Sequence, residues 1–265
     1  MVDFDPSTQK DERTDKFLEI KILIDGYKQK EPRISHWLQK DGGQNCWDAR
    51  KNLKNKDKKW KCVFELHENI SIKNDKTNKI EKKTFVTITD YGTYGLTGRV
   101  LSDKDLLTNL DLDERWGRFE NYAFRNKLPK GANAKHLLGS RGRGKYVFIA
   151  ASKMSAGGTK ATLYETRRDD GVYRLGRRTV QKLKAQTIHA DQTSNPTAEE
   201  VLKSHSGLSP IKHVGTRIII PDPEDEVIDD FKDGTLRQFI SETWWEIIQK
   251  YNAEFIVKVG GKEVT

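Results

Sequence analysis

Cysteine is scarce in this chain of 265 residues: there are two, Cys46 and Cys62, each in apolar surroundings. Two such thiols suggest no disulfide framework, so a reducing compartment is expected. Apolar runs are short, and none approaches the ~20 residues needed to span a bilayer. The opening residues, Met1-Val2-Asp3-Phe4-Asp5, read as neither a signal nor a transit peptide. A cytoplasmic protein with no membrane partner is therefore expected. The six histidines, His36, His67, His136, His189, His205 and His213, are scattered, with no second ligand at metal spacing. Zinc-finger spacings, RNP-like aromatic motifs, heptad runs, internal repeats and a clear domain linker are all missing. Acidic side chains fall short of basic ones, 39 against 48, for a net charge of +9. That balance favours an anionic partner, whether nucleotide, nucleic acid or acidic membrane. The hydrophobic fraction, 35%, suffices for one core at this length.

Glycine, by contrast, is concentrated where it matters. Gly139-Ser140-Arg141-Gly142-Arg143-Gly144-Lys145 places three glycines in six positions and closes on a lysine. Without Cβ atoms such a backbone exposes its N–H groups, and a nest of this kind before a helix collects phosphate oxygens. The other reading is an exposed basic glycine loop. The heptad also fits the P-loop pattern G-x-x-x-x-G-K, but Tyr146 stands where that pattern needs a short hydroxyl for Mg²⁺. The segment before it, Ala134 to Leu138, is too short and polar for a buried parallel strand. The P-loop is therefore set aside.

In chain order, residues 1–30 form an N-terminal segment, with an apolar stretch from Phe17 to Ile24 that leans towards helix. Ile34 to about Leu53 reads as a helix interrupted by Gly42-Gly43; either the backbone is closely approached there or two helices meet. Trp60 to Leu66 alternates as a strand. Asn69 to Lys83 reads as a hairpin tip or loop, and Thr84 to Thr89 as a second strand. The long charged stretch 96–138 reads as a mobile cover. Ala161–Thr166 and Gly171–Leu175 read as paired strands around Asp169-Asp170-Gly171. Residues 185–212 read as a polar loop with a short helix from Thr197. Val214 to Ile220 is a strand, Asp233 to about Tyr251 a helix, and Phe255 to Val259 a closing strand. One α/β sandwich, helices packed on a mixed sheet, accounts for this order.

Three separated pieces carry candidate chemistry. Asp41, Asn45 and Asp48 fall at i, i+4 and i+7, one face of a helix; a carboxylate and an amide so placed can polarise a water and hold Mg²⁺ against phosphate oxygens. A solvated polar face is the alternative. Asp90, with Gly92 and Gly95, ends a buried strand, where a carboxylate needs a donor; an adenine amino group or a turn N–H would each serve. The third piece is the glycine loop.

Taken together, these motifs resemble the GHKL ATPases, the superfamily of type II topoisomerases, mismatch-repair ATPases, ninety-kilodalton heat-shock chaperones and histidine kinases. Gln44-Asn45-Cys46-Trp47-Asp48-Ala49 is similar to the first motif, which implies that Asn45 holds Mg²⁺, with Asp48 orienting neighbouring groups. Asp90-Tyr91-Gly92-Thr93-Tyr94-Gly95-Leu96 resembles the second, D-x-G-x-G with an expanded spacing, which implies that Asp90 recognises the adenine amino group. Gly139 to Lys145 resembles the glycine-rich end of the ATP lid, so Gly139, Gly142 and Gly144 are expected at the phosphates, with Lys145 near the γ-phosphate. Gly215-Thr216 resembles the last motif, whose threonine, here Thr216, supports the adenine-binding aspartate. More narrowly, Arg115 to Glu120 and Arg168 to Arg174 look similar to bacterial GHKL proteins, several of which sit in larger machines that include anti-phage systems.

The resemblance covers about residues 30–260 and implies a single Bergerat-type domain, a mixed and mostly antiparallel sheet covered by helices on one face. It implies ATP and Mg²⁺ as ligands, residues 96–138 as the lid, and ATP-driven dimerisation or a switch read by another domain or subunit. The chain reads as a stand-alone module or the N-terminal part of a longer protein. One departure stands out: the family's hydrolytic glutamate falls at Asp41, one methylene shorter, and misplacement on that scale can cost ~100-fold in rate. ATP binding is thus better supported than hydrolysis. The rival readings are an ATP-binding interaction protein with little turnover, and a nucleic-acid binder using Arg141, Arg143, Arg167, Arg168, Arg174, Arg177 and Arg178.

Overall fold

In the computed structural model, residues 24–27, 32–50, 59–74, 78–98, 144–153, 155, 159–181, 184–251 and 254–265 are described. The candidate lid beyond Gly98, together with Gly139, Gly142, Arg141 and Arg143, lies outside them. So does most of the N-terminal segment.

The centre is a long hairpin of β1 (Trp60–Asn74) and β2 (Lys79–Tyr91). Both strands run on through much of the stretch expected to be a loop. The register shifts between His67 and Ile70, where Asn69 has positive φ, and pairing resumes to Asn74. The extension persists because Ile70 and Ile72 pack against a buried apolar cluster despite their polar neighbours. Six further strands complete one sheet: β3 (Lys160–Arg167), β4 (Tyr173–Gln181), β5 (Lys184–Asp191), β6 (Gly215–Pro221), β7 (Phe255–Val259) and β8 (Lys262–Glu263). Their order is β5-β4-β3-β6-β2-β1-β7-β8. Every pairing is antiparallel except β1 with β7. The mixed α/β architecture expected above is thus observed, with a strand, β5, inside the stretch 185–212 that reads as a loop. Polar residues outnumber apolar ones in it, and it joins the sheet through its backbone ladder to β4, with Ala190 buried in the cluster under α3.

The main helical layer lies on one face. It contains α1 (Ile34–Asp48), α2 (Lys145–Ala150), α4 (Asp225–Asp233) and α5 (Thr235–Lys250). Leu38, Tyr146, Ile149, Ile240 and Trp244 from these helices meet Phe64, Val86, Ile88, Ile218 and Ile220 of the sheet. The second face has a smaller cover, α3 (Ala198–Ser206), whose Val201 and Leu202 pack on Phe85, Leu163 and Ile219. Ile218-Ile219-Ile220 explains both layers: successive residues of a strand point to opposite faces, so an unbroken apolar run needs cover on each. The α3 start expected at Thr197 is observed as a reciprocal capping box with Glu200.

Gly42-Gly43 does not break α1. A Cβ on Gly43 would lie 2.8 Å from the Trp244 ring, and one on Gly42 would lie 3.0 Å from Ile88. Close approach is therefore the reason for the pair, outweighing roughly 1 kcal/mol of helix propensity per glycine. Beside it the Trp244 indole N–H donates to Gln39 Oε1 at 2.9 Å, and Gln39 Nε2 donates to Thr243 at 2.8 Å. The helix expected from Asp233 to about Tyr251 is observed as α5. Helix α4, not anticipated from the sequence, precedes it and ends at Gly234 in the left-handed conformation, and Asp233 Oδ1 accepts from Thr235 N at 2.8 Å. No helix among the described residues is long and apolar enough to cross a membrane.

Buried Lys160 secures the end of α2. Its ammonium donates to Ala150 O at 3.0 Å, to Ser152 O, and to Glu224 Oε1 at 3.0 Å. Losing this cation leaves two helix-end carbonyls without their donor. Lys160→Met is expected to lower unfolding free energy by about 2–3 kcal/mol, measured by denaturant titration.

Candidate functional site

Asp90 sits at the end of β2, 8% exposed. Buried carboxylates demand donors, and this one has them from two directions. Thr216 N, at the start of β6, donates to Asp90 Oδ1 at 2.7 Å, and Thr93 Oγ1 donates to the same oxygen at 2.5 Å. Thr216 thus meets Asp90 through its backbone amide. His213 Nε2 donates to the Asp90 carbonyl at 2.8 Å while its ring stacks on Tyr91, 3.8 Å between centroids. Burial, above all, holds the His213 imidazole below its ordinary pKa. Gly215 permits this convergence, since a Cβ there would lie 2.5 Å from Asp90 O.

The loop after Asp90 turns on Gly92 and Gly95, at φ +72° and +68°, a region that side chains rarely adopt. Leu96 N donates to Thr166 Oγ1 at 2.8 Å, and Thr166 Oγ1 donates to Gly215 O at 3.0 Å. Strands β2, β3 and β6 are thereby tied together at one end of the sheet.

Next to Asp90 is a cavity of about 50 Å³. Its walls are largely apolar, from Ile88, Leu96, Phe148 and Ile218 with Cys46 and Ala49. Asn45, Asp90 and Thr216 contribute the polar groups, and Gly42 completes the α1 side. Positions 42, 45, 46 and 49 form one helical face. Asn45 is exposed at its edge. Asp41 and Asp48 are on the adjoining side of α1, and neither lines the cavity. Both cysteines are free and buried, and burial raises the Cys46 thiol well above its ordinary range.

Asp41 faces the end of the glycine loop: a Cβ on Gly144 would lie 2.9 Å from the Asp41 carboxyl carbon. Tyr27 donates its hydroxyl to Asp41 Oδ2 at 3.2 Å. Burial raises the Asp41 pKa, opposed by the Tyr27 hydrogen bond and by the Lys40 charge. Lys145 is buried at the first position of α2, and Tyr146 beside it is wholly buried, within reach of Arg178. Among the described residues no group of three His, Cys, Asp or Glu side chains could hold a metal ion. A cation held by Asn45 and phosphate oxygens needs no such group, because Mg²⁺ commonly keeps waters and takes few protein ligands.

Sequence reasoning missed Thr93, Tyr27, Thr166 and His213. The wider glycine spacing was the one signal for Thr93; nothing local in the sequence marks the others. Several of the arginines that suggested a nucleic-acid face are engaged inside the fold. Arg168 and Arg174 both donate to Gly98 O, at 3.0 and 2.6 Å, Arg167 Nε donates to Ile211 O at 2.8 Å, and Arg178 is buried.

Compared with protein-family models and with curated proteins, the sequence matches none. Among solved structures it is similar to the ATPase region of Saccharomyces cerevisiae topoisomerase II, with 10% identity and a TM-score of 0.33 over 76% of this chain and 56% of that one. The same region bound to ICRF-187 (dexrazoxane) gives 10% identity and a TM-score of 0.36 over the same shares. The N-terminal domain of a DNA repair protein gives 13% identity and a TM-score of 0.31 over 93% of this chain and 50% of that one. The chain therefore spans about half the length of these structures. Scores of this size carry no argument, and the functional reading rests on the cavity and its side chains.

With its pKa raised, Asp41 binds a proton more readily in the folded chain than in the unfolded one. Its contribution to stability is therefore greatest below the ordinary carboxylate range and declines as pH rises through the raised value. Asp41→Asn removes that decline. The variant is expected to be at least as stable as wild type at pH 7 and to lose stability relative to it below pH ~4, measured by denaturant titration across pH.

Proposed function

We propose that this chain is an ATP·Mg²⁺-binding domain of the GHKL kind, acting as a nucleotide-dependent switch. The observation that carries the reading is the buried Asp90 carboxylate, held by Thr216 N and Thr93 Oγ1 beside an apolar cavity. Such a pocket suits a flat apolar base, and its fixed acceptor suits the adenine amino group. Asn45, exposed at the rim one helical turn from Asp41, would hold Mg²⁺ against the phosphates. Gly144 and Lys145 follow from the glycine loop and would face them. Bound there, Mg·ATP supplies an electrophilic phosphoryl group whose oxygens the cation relieves of charge.

In this reading Asp90 selects the base, Asn45 orients the phosphate end, and Asp41 accepts the proton of an attacking water. Asp41 is half-buried and carries one methylene fewer than glutamate, so the residues favour binding over rapid turnover. Gly144, packed against Asp41 of α1, would couple the phosphate end to that helix, and a second copy of the chain, or a further domain, would read the change. The motif resemblance supports that last step.

The test is calorimetric titration of ATP with Mg²⁺ into wild type, Asn45→Ala and Asp90→Asn, with phosphate release followed on each. Binding by wild type that falls at least ~10-fold in both variants is expected. A folded wild-type chain that binds no ATP contradicts the proposal.

A further inference from the structure

We infer that Thr93 is a positioning residue that fixes the Asp90 carboxylate for base recognition and joins it to the end of α1. The inference rests on the adenine reading of Asp90 given above. The spacing from Asp90 to Gly92 and Gly95 is one residue longer than the compact D-x-G-x-G pattern, and the structure shows where the added length goes. Between the two glycines the loop crosses to α1. Thr93 forms a β-bridge with Arg50, and Tyr94 N donates to Ala49 O at 3.2 Å. Carbonyls at a helix end have no donor within the helix, so the loop supplies one to the helix that carries Asn45.

The same loop acts on Asp90. Thr93 is 1% exposed, and a hydroxyl has a single proton to donate. That proton goes to Asp90 Oδ1 at 2.5 Å, and the hydroxyl accepts from Gly95 N at 3.4 Å. Thr216 N reaches the same carboxylate oxygen from β6 at 2.7 Å. With one donor the carboxylate pivots about that contact; with two, one from the loop after β2 and one from β6, its rotation is set. Charge-assisted bonds of this kind are about twice as strong as neutral ones. A fixed acceptor discriminates between bases, because adenine presents an amino donor where guanine presents a carbonyl. Thr93 therefore acts on base selectivity through Asp90, beyond its effect on the loop.

The experiment measures Kd for ATP and for GTP, each with Mg²⁺, by calorimetry. The proteins are wild type, Thr93→Ser, Thr93→Val, Thr93→Ala and Asp90→Asn, each checked for cooperative thermal unfolding. Wild type is expected to prefer ATP. Thr93→Ser should keep that preference, and Thr93→Val should reduce the ATP:GTP ratio ~10-fold or more. Should the valine variant fail to fold, Thr93→Ala gives the same reading, since it removes the hydroxyl without placing a new methyl against the carboxylate. A wild-type ratio in the folded Val or Ala variant overturns the inference, as does equal loss in Thr93→Ser. If Asp90→Asn collapses the ratio while Thr93→Ala leaves it intact, the adenine reading stands and the role of Thr93 falls. Wild type that shows no preference overturns both.

Discussion

A carboxylate at the buried end of a strand is the constraint around which this structure closes. Unpaired, an ionised Asp90 would be costly in a low-dielectric setting. The chain meets that demand with a hydroxyl from the loop just after it and an amide from a strand 126 residues later in sequence. Bringing Thr216 so close requires the glycine at 215, and bringing Thr93 so close requires the turn that Gly92 and Gly95 permit. The pairing of β2 with β6 is thus reinforced by side-chain chemistry at one end of the sheet, where the cavity opens. The ligand that suits this pocket is read from the same group that organises it.

The helix opposite is held by a different device. Gly42 and Gly43 let α1 sink against Ile88 and the Trp244 ring, and Gln39 fixes that ring by a buried hydrogen bond. The depth of α1 sets the height of Asn45 above Asp90. Its far end is tied by the loop of Thr93 and Tyr94, so the same loop contacts both helix and carboxylate. Asp41 lies on the side turned towards Gly144, where the glycine loop enters α2. The proposed switch therefore has a fixed half, built on Asp90, and a half that depends on how the loop meets Asp41.

Much of this was legible in the sequence, for physical reasons. Alternation in Trp60–Leu66 and the β-branched run at Thr84–Thr89 marked the central hairpin, and Asp90 and Thr216 stood at recognisable glycine motifs. The extension of that hairpin was hidden because Ile70 and Ile72 are set among polar residues. Strand β5 was hidden because its few apolar residues, Ala185, Ile188 and Ala190, do not alternate regularly. Helix α4 was hidden because its nine residues are mostly charged, with only Val227, Ile228 and Phe231 as large apolar side chains. Thr93 and Tyr27 escaped because each acts through a contact set by the path of the backbone. The expanded glycine spacing was visible, but where the extra residue pointed was not. The cover expected at 96–138, and Gly139 and Gly142 with it, fall almost wholly outside the described residues.

The central claim is that the Asp90 cavity receives the adenine of Mg·ATP. The most direct measurement is a crystal structure of the chain grown with Mg²⁺ and a non-hydrolysable ATP analogue. The account predicts the adenine amino group within hydrogen-bonding distance of the Asp90 carboxylate and the cation coordinated by Asn45. Nucleotide bound elsewhere on the chain, with Asp90 still facing an empty cavity, would contradict it.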